Sequence, residues 1–197
     1  MQKTIFITGA SSGLGKSAAQ LFQSKGWNVI AVMRNTDSEA ELTALENVTV
    51  LKMDITDKEQ LDEIITYVLS RYDINVVLNN AGYGLIDPLE TFTDEQIKKQ
   101  VETNLMSVIR ITKAFTPYFR EKRNGILINI TSGFGIMGFP TSVYSATKFA
   151  VDGFSESIGY ELAQFGMEVK VVAPEEYKPI LQAVHSMVPI KKLEARN

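Results

Sequence analysis

The sequence predicts a doubly wound α/β fold: a Rossmann-type parallel sheet of six or seven strands with helices on both faces. Three observations predict it. Short, continuously apolar runs alternate with segments of helical periodicity, the pattern of strands buried on both faces by right-handed crossover helices. A glycine-rich stretch, Thr8-Gly9-Ala10-Ser11-Ser12-Gly13-Leu14-Gly15, follows the first apolar run and opens the first helical segment. Polar residues recur where strands end: Thr8, Arg34, Asp54, Asn80 and Ser132 each follow the carboxyl end of one. Open α/β sheets bind their ligands beyond that rim.

The elements follow in order. The first strand covers about Lys3–Thr8, and the first helix runs from Leu14 to about Lys25. Gly26 suits the C-cap of that helix and leads into the second strand, Asn28–Met33. The third strand is about Val48–Met53. A helix over Asp57–Arg71 places Leu61, Ile64, Ile65, Val68 and Leu69 at helical spacing, with Thr56 and Glu59 expected to form a capping box. The fourth strand is about Asn75–Asn79. A long helical pattern then runs from Asp94 to Arg123, with Thr93 as its cap and Pro117 expected to kink or divide it. The fifth strand is Gly125–Thr131. A helix from near Tyr144 to about Phe165 is ended by Gly166, and the sixth strand is Glu168–Val172.

Composition bounds the function classes. A chain of 197 residues is long enough for one domain with a substantial core, so residues 1–197 read as a single domain. A net charge of −3 and a pI near 5.3 lack the basic footprint of a nucleic-acid binder. The absence of cysteine excludes disulfide and thiolate chemistry, and a lone histidine, His185, excludes a multi-histidine metal site within one chain. His185 reads as a structural or surface residue. No apolar run is long enough to span a membrane. A core strand as early as residue 5 leaves no room for a signal peptide, so the expected location is cytoplasmic.

The glycine-rich stretch reads as a phosphate cradle. A helix N-terminus offers unpaired N–H groups and the positive end of its dipole, and glycines let the backbone approach a diphosphate. Gly9, Ser11, Ser12, Gly13, Leu14 and Gly15 are therefore candidate dinucleotide-binding residues. In such sites an acid at the end of the second strand bonds the adenosine ribose hydroxyls and favours NAD. Here the strand ends in Met33-Arg34-Asn35. Arg34 can instead pair with a 2′-phosphate, which predicts NADP(H) preferred over NAD(H); the plain alternative is a solvated surface arginine. Asp54 and Ile55 could meet the adenine edge, and Asp54 could equally cap the next turn. In Asn79-Asn80-Ala81-Gly82 the asparagines can bridge neighbouring strands, while Ala81 and Gly82 leave room for a ribose.

Tyr144 and Lys148 stand at i and i+4 on a helix, one turn apart on one face. An ammonium beside a phenol favours the phenolate and makes the tyrosine a usable proton donor and acceptor near neutral pH. Ser132 closes the fifth strand on the same rim, where its hydroxyl can bond a carbonyl or alcohol oxygen.

With these residues together, the chain resembles the short-chain dehydrogenase/reductase family from residue 1 to about Pro174. The matching residues are Thr8–Gly15, Asp54, Asn79–Gly82, Asn104 within Glu102-Thr103-Asn104-Leu105, Ser132, and Tyr144 with Lys148. The resemblance implies a catalytic tetrad of Asn104, Ser132, Tyr144 and Lys148. Tyr144 would be the general acid/base, Lys148 would tune it and hold the nicotinamide ribose, and Ser132 would orient the substrate oxygen. Asn104 would hold a water that relays protons by way of Lys148, a role that rests on the resemblance alone. It also implies a small-molecule carbonyl or alcohol substrate, and a homodimer or homotetramer built on the two long helices. Tyr83, Gly84, Phe134, Ile136 and Phe139 are the candidate substrate-pocket residues, and their apolar character suggests a hydrophobic substrate; local packing of two loops would explain them as well.

The chain departs from the family pattern after the sixth strand, where Ala173-Pro174-Glu175-Glu176-Tyr177 lacks the expected glycine and threonine. Either the region that covers the nicotinamide is truly short, or a lid segment is left out at about Pro174/Glu175. The run Glu175–His185, helical in pattern and beginning in acids, fits the far side of a lid and favours omission. The expected function is NADP(H)-dependent hydride transfer. The alternative is a catalytically inactive NAD(P)-binding sensor or scaffold protein of the same fold.

Overall fold

The structure, a computed structural model, describes residues 2–133 and 141–174. Six parallel strands form one sheet: β1 (Thr4–Thr8), β2 (Asn28–Met33), β3 (Val48–Lys52), β4 (Ile74–Asn79), β5 (Gly125–Ile130) and β6 (Met167–Val172). Their order is β3-β2-β1-β4-β5-β6. The chain therefore reverses its direction of travel across the sheet between β3 and β4. The crevice beyond the carboxyl ends of β1 and β4, at that reversal, is where ligands of doubly wound folds bind.

The helices are α1 (Gly13–Ser24), α2 (Ala40–Thr43), α3 (Lys58–Arg71), α4 (Asp94–Val101), α5 (Ser107–Lys122) and α6 (Ser142–Ala163). Successive strand residues point to opposite faces, and both faces are apolar. Ile5, Ile7, Val29 and Ala31 pack with Ala18 and Phe22 of α1 and Leu42 of α2. Phe6, Ile30 and Val77 pack with Leu61 and Ile65 of α3, Phe115 and Phe119 of α5 and Leu162 of α6. The buried strands and their amphipathic covers thus form two hydrophobic layers around one sheet.

Two local expectations are corrected. The helix α3 is capped by Asp57, whose carboxylate accepts from Glu59 N at 3.0 Å and Gln60 N at 3.1 Å. Thr56 is instead drawn to Asp54, donating its hydroxyl to Oδ1 at 2.7 Å, and no Thr56–Glu59 capping box forms. Pro117 does not divide its helix: α5 passes through it. Pro117 and Lys113, four residues earlier, both lie on the exposed face, so the carbonyl that loses its N–H partner can be solvated. The irregularity sits upstream, where a single π turn, Glu102–Met106, joins α4 to α5. Thr93 does form a capping box at the start of α4, with Gln96. The sequence pattern missed α2, four residues long, and the 3₁₀ turn Leu89–Thr91. Phe134, Ile136, Phe139, the helical pattern over Glu175–His185 and His185 itself lie outside the described residues. Among the described residues no helix is long and apolar enough to cross a membrane.

Candidate active site

The turn after β1 is held from across the sheet. Asn80, just past β4, donates Nδ2 to Thr8 O at 3.0 Å and Gly9 O at 3.1 Å. Thr8 Oγ1 accepts from Asn80 N and Ala81 N, each at 3.1 Å. The turn is so close to its support that a Cβ on Gly9, whose φ is +66°, would meet Ala81 Cα at 2.7 Å. A Cβ on Gly15 would meet both Gly9 O and Asn80 Nδ2 at 2.4 Å. The asparagines of the Asn79–Gly82 run bridge neighbouring strands as expected: Asn80 braces the turn after β1, and Asn79 donates Nδ2 to Asn129 Oδ1 of β5 at 2.8 Å.

The first turn of α1 is left open to an anion. Asp57 caps α3 and Thr93 caps α4 with side-chain hydrogen bonds, and both helices carry acids in the first turn. Ser12 makes no such bond at α1, and no acid lies in that first turn. Unpaired N–H groups and an uncompensated dipole suit a phosphate. They open onto a cleft of about 600 Å³ lined by Gly9, Ser11, Ser12, Gly13 and Leu14. Arg34, Asn35 and Ser38 line its end beyond β2, Asp54 and Ile55 its end beyond β3, and Ala81 and Gly82 its floor beyond β4. Arg34 is exposed, and among the described residues it forms no ion pair. Asp54 spends Oδ1 on Thr56 N and Oγ1, so the turn-capping alternative is present alongside its place in the cleft. This shape, with an anion-ready helix end beyond β1, a cation at Arg34 beyond β2 and Ile55 beyond β3, fits a dinucleotide.

A second cleft of about 420 Å³ adjoins the first, and Leu14, Asn80, Gly82 and Tyr83 line both. Ser132, Tyr144 and Lys148 lie on its wall, with Gly84, Ile86 and Ile130 as apolar lining. Ser132 follows β5, and Tyr144 and Lys148 project from the first turns of α6, so the register of one strand and one helix brings them together. Lys148 is 5% exposed. Its Nζ donates to Ile130 O at 2.8 Å and lies 5.7 Å from the Tyr144 ring centre. Burial pulls the Lys148 pKa down to about 8, with Asp152 one turn further along α6 opposing. Burial pushes the Asp152 carboxyl up, against the Thr131 hydroxyl and the Lys148 charge.

Asn104 sits in the π turn, 1% exposed. Its Nδ2 donates to Tyr83 O at 2.8 Å and Thr147 Oγ1 at 3.2 Å, and its Oδ1 accepts from Tyr83 N at 3.0 Å. The side chain therefore ties the loop after β4 to α6. A Cβ on Gly82 would stand 3.3 Å from Asn104 Oδ1 and 3.5 Å from Lys148 Nζ, so Gly82, Asn104 and Lys148 converge on one point. Sequence reasoning passed over Thr147, which bonds both Asn104 and Tyr144 O at 2.7 Å, although it lies between the two motif residues. It also passed over Lys99 and Thr103, which line the first cleft; their i, i+4 spacing beside Asn104 was the available signal.

A family model described as short chain dehydrogenase matches residues 3–184. The chain is 37% identical over 175 residues to the 3-ketodihydrosphingosine reductase of Bacteroides thetaiotaomicron, a match covering 88% of this chain and 63% of that protein. It thus spans about three fifths of the length of that relative. Among solved structures, ElxO with NADP bound superposes with a TM-score of 0.84 at 30% identity, covering 89% of this chain and 74% of that one. A 4-hydroxyisoleucine dehydrogenase complexed with NADH gives 0.83 at 25% identity, covering 88% and 73%.

Proposed function

Since the chain belongs to the short-chain dehydrogenase/reductase family, we propose that it is an NADP(H)-dependent oxidoreductase acting on a small apolar carbonyl or alcohol. The observation that carries this reading is the meeting of Ser132, Tyr144 and Lys148 on the wall of an apolar cleft that adjoins the anion-ready cleft at α1. The N-terminus of α1, with Ser11, Ser12, Gly13 and Leu14, would hold the diphosphate; Asp54 and Ile55 would hold the adenine; Arg34 would pair with the 2′-phosphate. The nicotinamide supplies or accepts the hydride. Ser132 donates a hydrogen bond to the substrate oxygen, and Tyr144 gives or takes the proton at that oxygen. The Lys148 ammonium favours the phenolate of Tyr144 and reaches the ribose side through the space that Gly82 leaves open. With the Asn104 side chain committed to Tyr83 and Thr147, its main-chain carbonyl is the group left to hold a relay water, and a π turn is where such a carbonyl escapes the regular ladder.

Residues 1–197 act as a single NAD(P)-binding domain. A homodimer or homotetramer is supported by an apolar groove of about 390 Å³ between α4 and α6, lined by Leu89, Ile97, Val101 and Val143. Phe149 of α6 is a further exposed apolar side chain, with 45% of its surface exposed.

Fluorescence titration of the purified protein with NADPH and NADH tests the proposal, followed by a carbonyl panel. Tighter binding of NADPH is expected, and Arg34→Asp is expected to weaken it by about tenfold or more, the worth of a charge-assisted hydrogen bond. An unchanged preference in Arg34→Asp removes Arg34 from the reading. Binding without oxidation of NADPH across the panel refutes the hydride-transfer assignment.

A further inference from the structure

The loop that leaves β2 carries two acids, Asp37 and Glu39, close to the position where a carboxylate would favour NAD. Neither lines the cleft, whereas Arg34, Asn35 and Ser38 of the same loop do. Asp37 is exposed, with its N–H bonded to Asn35 Oδ1 at 2.9 Å. Glu39 is turned the other way and buried, with 7% of its surface exposed. One oxygen accepts from Leu42 N at 3.0 Å, capping α2. Both oxygens meet Lys16 Nζ on α1, at 3.1 and 3.2 Å. The same ammonium takes Glu41 at 3.1 Å. The hydrogen bond from Leu42 and the pairing with Lys16 hold the Glu39 carboxyl below the usual carboxylate range.

We propose that Lys16 is a specificity-determining residue for the phosphorylated cofactor. It stands one residue past the last glycine of the cradle and draws the carboxylates of Glu39 and Glu41 against α1. That leaves Arg34 as the ionic group this loop presents to the cleft. Without the ammonium, Glu39 at the end of the loop and Glu41 in the first turn of α2 are negative charges with no ionic partner beside the loop that must receive a dianionic 2′-phosphate. They would repel it and compete for Arg34, while a cofactor with a free 2′-hydroxyl would meet no such penalty. A purely structural brace between α1 and the loop predicts something different: its loss would weaken both cofactors alike. The inference rests on the proposed NADP(H) preference and adds the residue that permits it.

The test is the pair of dissociation constants, for NADPH and for NADH, in wild type, Lys16→Met, Lys16→Arg and the Lys16→Met/Glu39→Gln double variant. In Lys16→Met the NADPH constant is expected to rise about tenfold while the NADH constant moves by less than about twofold, as for loss of one charge-assisted contact. Lys16→Arg keeps the wild-type ratio. The double variant recovers most of the NADPH affinity, because its amide still caps α2 but carries no charge. Should Lys16→Met fail to fold, Lys16→Gln, which retains a hydrogen bond to Glu39, carries the same expectation in the same direction. Equal weakening of both cofactors, or an unchanged ratio, overturns the inference and leaves the NADP(H) reading standing. A wild type with no preference for NADPH overturns both, and this is seen before any variant is compared.

Discussion

Replacing Lys148 by methionine should make the protein more stable and abolish its turnover. The wild-type ammonium is 5% exposed, and burial lowers its pKa from 10.5 to about 8. The unfolded chain therefore binds this proton more tightly than the folded one, and folding at pH 7 carries a cost of roughly 3 kcal/mol from this group. Between about pH 8 and 10.5 the unfolded state holds the extra proton, so this cost shrinks as pH rises through that window. Methionine fills a similar volume without the charge. It forfeits the bond to Ile130 O, a loss of about 1 kcal/mol, so the net gain at pH 7 is about 1–2 kcal/mol. Urea denaturation of both proteins at pH 7 and pH 9.5 measures it. The wild type should recover about 2 kcal/mol relative to the variant between the two pH values. A variant less stable than wild type at pH 7, or a difference that does not change with pH, would refute the reasoning. A site that sacrifices stability for a poised charge is the expected signature of function.

Two further substitutions probe the chemistry and the cradle separately. Tyr144→Phe removes only the hydroxyl, so NADPH binding is retained while turnover in a carbonyl assay falls by about 10²–10⁴-fold or more, the usual weight of a positioned proton donor. Near-normal turnover would reject Tyr144 as the acid/base. Gly15→Ala would ordinarily stabilise a helix slightly, but here the Cβ meets Gly9 O and Asn80 Nδ2 at 2.4 Å. A loss of about 1–3 kcal/mol in thermal denaturation is expected, with weakened binding of both cofactors, and a stabilised variant that binds normally would show that the turn is looser than described.

The sequence by itself determined the strands, helices α1, α3 and α6, and the placing of Gly9, Tyr144 and Lys148 near one rim, but not the π turn that breaks the Asp94–Arg123 pattern into α4 and α5. The former are local matters: a buried strand shows as an apolar run, an amphipathic helix as a 3.6-residue period, and i, i+4 spacing puts two side chains on one face whatever surrounds them. Only the tertiary structure decided what those side chains touch. The sheet order sets β1 beside β4, and so Asn80 braces a turn 71 residues earlier in the chain. Lys148 rests on the carbonyl of Ile130, Asn104 clasps Tyr83, and Lys16 takes the carboxylate of Glu39, 23 residues on. Pro117 and Thr56 show the same limit from the other side. A proline breaks a helix where its orphaned carbonyl is buried, and a threonine caps a helix unless a nearer carboxylate claims its hydroxyl. Burial and competing partners are properties of the folded arrangement, and no local pattern encodes them.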